Sequence, residues 1–227
     1  MSNIMTDIKQ ISRILSDKEI CGDLYPLNNA IATIRDKNGY NVDKLELRIP
    51  IVPRNTRPNG VKSLTITLNV SVPQNQIDGK FSCLPWAGYN FSFLIEGLTQ
   101  NKKVKSAWHL DYDLCASSTV IHPCFHLTFG GKMMENVNLG DVLLLPVPRY
   151  GFPPMDIVLG IDFILSNFLE KAMYEEIKQN KYYQAAVRDS QEKFWKPYFL
   201  TIGSRWCSST GFDDKNLRQA ILPTLVD

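Results

Sequence analysis

The decamer SLTITLNVSV, residues 63–72, alternates without a fault. Leu64, Ile66, Leu68, Val70 and Val72 fall on one side, and Ser63, Thr65, Thr67, Asn69 and Ser71 on the other. A two-residue period over that length marks a strand buried on one face, and so an antiparallel sheet with one covered face. The same period runs through DKLELRIPIV, where Leu45, Leu47, Ile49 and Ile51 alternate with Lys44, Glu46, Arg48 and Pro50. Residues 90–97 and 103–113 pair about the turn LTQNK, and 120–129 ends at Gly130-Gly131. Five strands with short connections predict an antiparallel meander over about 44–130.

Outside this stretch the period becomes helical. Ile8, Ile11, Ile14 and Leu15 mark an amphipathic helix over 5–17, followed by a loop of turn residues up to about 42. Pro153-Pro154 opens a helical pattern that continues to about 179. Asp156 stands in its first turn, and Ile157, Ile161, Ile164, Leu165 and Phe168 form one stripe. A second helix over about 182–195 should stop near Pro197, and a short one, NLRQAIL, ends before Pro223. The expected fold class is α+β: a five-stranded antiparallel sheet with an N-terminal helix and C-terminal helices on its apolar face. One domain is expected over 1–227, with sub-regions 1–42, 43–131 and 150–227.

Composition narrows the function classes. With 44% hydrophobic and 21% charged residues, the 227-residue chain is neither fibrous nor disordered. A net charge of +2 gives no general attraction to polyanions, so any such site is local. Five cysteines without a C-x-x-C pair fit a reducing compartment. The polar opening MSNIMTDIKQ has no apolar signal stretch, and no run approaches a membrane span. The expected location is cytoplasmic, with no membrane partner. Walker, G-x-G-x-x-G and G-x-S-x-G patterns are absent, which argues against nucleotide hydrolysis and hydride transfer.

All three histidines of the chain fall between residues 109 and 126. On the strand period, His109 shares a face with Lys103, Lys105, Asp111 and Asp113, while His122, Cys124, His126 and Thr128 share a face of the next strand. If Asp113 opposes Val120, then Asp111 faces His122 and His109 faces Cys124. A shift of two sets His109 against His126 and Asp113 against His122. Either register gathers imidazoles and a carboxylate in one patch on the polar face.

Three chemistries fit that patch. Paired imidazoles with an orienting Asp can cleave a phosphodiester through the 2′-hydroxyl, Lys103 or Lys105 neutralising phosphate. The same donors, His109, His122, His126 and an Asp, can hold a divalent metal such as zinc. The third alternative is a polar sheet face without chemistry. The lysines favour the first, since they attract phosphate and repel a divalent cation, so no cofactor is expected.

The segment H-L-D-Y-D followed by H-P-C-F-H resembles TumE-like toxins of bacterial toxin–antitoxin pairs and other small histidine-bearing proteins of defence loci. His109, Asp111, His122, Pro123 and His126 carry the resemblance, which covers about Phe91 to Gly131. It implies action on RNA, more readily than DNA, and a protein partner such as an antitoxin or a defence-complex subunit.

The expected catalytic residues are therefore His109, Asp111, His122 and His126, with His109 and His126 sharing acid and base roles. Lys103, Lys105, Arg54 and Arg57 are expected to bind substrate, the two arginines from the acid-free loop PRNTRPNGVK. The alternative is a non-catalytic scaffold subunit of a defence complex using the same face. Asp162 lies within an apolar stretch and requires a partner: an Arg, a histidine or another chain. The aromatic run FWKPYF (194–199) with Trp206 reads as core or interface, or as a stacking surface for bases.

Overall fold

A computed structural model describes residues 4–35, 39–73, 88–100, 102–113, 123–138, 149–207 and 213–224. Its centre is a six-stranded antiparallel sheet in sequential order: β1 (Tyr40–Ile49), β2 (Leu64–Val72), β3 (Asn90–Leu98), β4 (Lys103–Tyr112), β5 (Phe125–Phe129) and β6 (Tyr150–Gly151). The meander is therefore as expected, with one additional short edge strand. Every second residue of β2, from Leu64 to Val72, is buried. Phe91 and Phe93 of β3 continue that apolar face.

Three strand boundaries move, the first being the start of β1 at Tyr40, inside the loop expected up to about 42. The β1 alternation ends at Ile49, and Ile51 is exposed in the loop beyond it. A bulge between Val42 and Leu45 leaves Lys44 at φ 54°, its N–H donating to Asn69 Oδ1 at 2.9 Å. The last long strand begins at Phe125, not at residue 120, and residues 120–122 lie outside the described residues.

The helices show where periodicity misleads. α1 (Ile4–Asp17) buries Ile8, Ile11, Ile14 and Leu15 as expected. The loop expected after it contains α2 (Tyr25–Arg35), whose Leu27, Ala30, Ile31 and Ile34 form a buried helical stripe. Its start is fixed by Asp23 Oδ1, which accepts from Tyr25 N at 2.8 Å, and by Pro26 in the first turn. LYPLNN is thus a helix start, where its Pro and Asn residues had suggested a turn.

The long helix after Pro154 is two helices, α3 (Ile157–Phe168) and α4 (Lys171–Lys178), because Leu169 adopts an extended conformation. Asp156 is the N-cap of α3, not a first-turn residue, and accepts from Leu159 N at 2.9 Å and Ser190 Oγ at 2.8 Å. α3 covers the apolar sheet face. Phe163 and Phe168 pack on Phe93 with ring centroids 5.9 and 6.2 Å apart, and a Cβ on Gly160 would lie 2.5 Å from Phe91.

Pro197 does not end the next helix. α5 (Lys181–Ser190) continues through a π-helical turn, Gln191–Trp195, into α6 (Lys196–Gly203). Proline cannot donate to a carbonyl one turn back, and the wider turn lies where the ladder loses that bond. α7 (Lys215–Ile221) closes the described chain. Among the described residues Asp162 is answered by neither Arg nor His: the hydroxyls of Tyr174 and Tyr183 donate to its Oδ1 at 3.0 and 2.9 Å. Of the aromatic run, Phe194 and Tyr198 are core, whereas Phe199 and Trp206 are exposed. No described helix is long and apolar enough to cross a membrane.

Candidate functional site

The site lies where β4 and β5 pair. Trp108 faces Phe129, His109 faces Thr128, Leu110 faces Leu127 and Asp111 faces His126. This register lies two residues beyond the nearer of the two expected ones. Parity is preserved, so His109, Asp111, His126 and Thr128 share the face opposite Leu110, Phe125 and Leu127. The partners change: His109 opposes a threonine, and His126 opposes the carboxylate. The two imidazoles are diagonal neighbours, with Cβ atoms about 7–8 Å apart on standard sheet geometry. His122 lies outside the described residues.

His109 and Asp111 form the central contact. His109 Nε2 lies 3.1 Å from Asp111 Oδ2, with the side chains 22% and 43% exposed. A carboxylate accepts, so Nε2 carries the proton and Nδ1 is the basic nitrogen of the neutral ring. Gly131 borders that edge of the ring: a Cβ there would lie 3.1 Å from Nδ1 and 3.0 Å from Cε1. Gly131 has φ 76° and ψ −167°, a conformation confined to glycine, so the missing side chain serves both the chain path and the free imidazole edge.

His126 differs. It is 4% exposed, and its Nδ1 lies 3.0 Å from the carbonyl oxygen of Pro123. A carbonyl only accepts, so Nδ1 bears the proton. The face expected to be open is covered here. Gly130 N donates to Ala107 O at 2.8 Å, the 3₁₀ turn Lys132–Met134 follows, and Ala107, Thr128 and Met134 are buried. Thr128 is 5% exposed, and its Oγ1 has no hydrogen-bond partner among the described residues.

The expected substrate cations are arranged otherwise. Lys103 and Lys105 both reach Glu96 Oε1, at 3.0 and 3.4 Å. Partial burial would raise the Glu96 carboxyl, but the two ammonium groups outweigh it and hold its pKa below the usual value. Two cations sharing one anion leave one positive charge there. Arg54 and Arg57 are exposed in the β1–β2 loop, at the Lys103 end of the sheet. That end is six residues along β4 from His109, about 20 Å. A cleft of about 590 Å³ opens there between Pro58–Lys62 and Thr99, Gln100 and Lys102. The structure does not bring either arginine to the histidines.

Among the described residues, no three His, Cys, Asp or Glu side chains form a metal-ligand set. Cys124, expected beside the imidazoles, is 3% exposed, and its N–H donates to Ala220 O at 2.8 Å. Sequence reasoning placed Thr128 on the histidine face without giving it a role, and missed Gly131 and Glu96. Glu96 was visible as the one acid on the strand preceding the lysines, whereas the pairing of Thr128 with His109 needed the register. Compared with protein-family models, curated proteins and solved structures, the chain matches none.

Proposed function

We propose that the chain is a bacterial toxin-like or phage-defence-associated protein with an RNase-like site at the His109–Asp111 pair. The observation that carries this reading is the carboxylate-oriented imidazole, with its basic nitrogen on the edge left clear by Gly131. The resemblance to TumE-like toxins rests on the same His109 and Asp111 and supports RNA as the substrate.

In this mechanism Nδ1 of His109 takes the proton of a ribose 2′-hydroxyl as its oxygen attacks phosphorus. Asp111 holds the ring and stabilises the imidazolium. The bond from phosphorus to the 5′-oxygen breaks, and a second imidazole donates a proton to that oxygen. The products are a 2′,3′-cyclic phosphate and a 5′-hydroxyl. The acid is His122 or His126; His126 is enclosed and its Nδ1 is committed to the Pro123 carbonyl, so that nitrogen does not give the proton.

That same enclosure favours a second reading, a non-catalytic scaffold subunit in which His126 is structural. The purified chain incubated with end-labelled RNA, with and without EDTA, separates the readings. The expected result is cyclic-phosphate ends, abolished in His109→Ala and unaffected by chelation. Loss of cleavage on chelation would assign the donors to a metal, and no cleavage in either condition would leave the scaffold reading.

A further inference from the structure

Two buried side-chain polar atoms of the described residues lack a hydrogen-bond partner: Thr128 Oγ1 and Arg149 Nη1. They are not scattered. β5 pairs with β6 through His126 opposite Gly151 and Leu127 opposite Tyr150. Continuing that register by one residue sets Arg149 beside Thr128, which is itself opposite His109 on the other side. Alternation places Arg149 and Thr128 on the face of His126 and His109, since Tyr150 and Leu127 take the other. Thr128 therefore borders the imidazole already described, and Arg149 lies one strand further on, beside Thr128.

Orphaned buried donors are rare because each loses its hydration without replacement, and the loss is larger for a guanidinium than for a hydroxyl. An arginine N–H and a hydroxyl side by side, the hydroxyl next to an imidazole, share one complement, an anion with several acceptor oxygens. A guanidinium presents a planar fork suited to phosphate. The lysines expected to play this part are engaged with Glu96, and the loop arginines lie at the far end of the sheet.

We propose that Arg149 and Thr128 form a phosphate-binding subsite adjoining His109, which holds the phosphoryl group of a phosphodiester or of free phosphate. For the diester this rests on the nuclease reading above. Bound there, the phosphoryl oxygens satisfy both donors, and Arg149 offsets the charge that develops as the 2′-oxygen attacks.

The test uses the full chain, inorganic phosphate as the probe, and thermal unfolding as the readout. Phosphate should raise the wild-type melting temperature in a saturable way. Arg149→Gln and Thr128→Val should each weaken phosphate binding at least about tenfold. Thr128→Val also guards against misfolding: removing an orphaned hydroxyl should leave the phosphate-free melting temperature unchanged or higher. A wild-type protein that does not respond to phosphate, or two variants that respond like wild type, would overturn the subsite.

RNA distinguishes the sources. Phosphate competing with RNA cleavage assigns the diester to this subsite. Phosphate binding that depends on both residues, without cleavage, keeps the subsite for free phosphate and rejects the nuclease reading. Cleavage that depends on His109, with both variants binding phosphate normally, rejects the subsite and keeps the nuclease.

Discussion

Asp111 stands directly opposite His126 across the β4–β5 pair, yet it is His109, two residues away on its own strand, whose Nε2 it holds at 3.1 Å. One carboxylate thus lies between an imidazole that is partly open and one that is enclosed. The two histidines should behave differently when removed.

For His109 and Asp111 the effect should be on activity. His109→Ala should abolish RNA cleavage, and Asp111→Asn should lower it by about 10²-fold or more, the range typical of a lost acid–base contribution. Both positions are partly exposed, so unfolding free energy should change by less than about 1 kcal/mol. Chemical denaturation alongside a cleavage assay checks both.

His126→Ala should instead cost stability, about 1–3 kcal/mol, because it leaves the Pro123 carbonyl without its donor and opens space in a covered site. The sequence alone had placed this residue on an open strand face, where the change would be nearly neutral. A denaturation midpoint equal to wild type would show that the imidazole is not structural.

Gly131→Ala combines backbone strain at φ 76° with a Cβ 3.1 Å from His109 Nδ1. The strain should cost about 1–3 kcal/mol. The ring resonances of His109, followed by NMR, should shift relative to wild type while those of His126 change little.

Gly160→Ala tests the packing of α3 on the sheet. Alanine gains about 1 kcal/mol of helix propensity, but its Cβ would meet Phe91 at 2.5 Å, in a ring that is fully buried. Overpacking of about 1–3 kcal/mol should win, giving a net loss of stability in thermal unfolding.

Glu96 sets a pH dependence. Lys103 and Lys105 hold its folded pKa below the ordinary 4.5, against the opposing effect of burial. A depressed carboxyl adds stability that is present above the unfolded value and lost as pH falls through the folded one. The stability gap between wild type and Glu96→Gln should therefore be full near neutrality and close below about pH 4. A gap that widened on acidification would contradict the sign.

Much of this was legible along the chain. The unbroken alternation of 63–72 identified β2, its buried side and the antiparallel class, because burying one face of a strand leaves a period of two that little else produces. The clustering of His109 and His126 on the face away from Leu110 and Leu127 followed from the same parity. The break at Leu169 and the helix at Tyr25–Arg35 did not follow, since turn-forming residues also start helices and an apolar period does not reveal an extended residue within it.

What the amino-acid order determined by itself was which residues share a face; what the tertiary structure alone decided was who meets whom on it. A two-residue slip between β4 and β5 returns every side chain to its own face, so alternation cannot choose among registers that differ by two. The choice is visible on the apolar side, where Tyr112 meets Phe125 with ring centroids 4.9 Å apart and Trp108 meets Phe129 at 5.2 Å. Those cross-strand aromatic contacts lock the pairing. On the reverse face they bring Thr128 to His109 and Asp111 to His126, an arrangement that no count along the sequence contained.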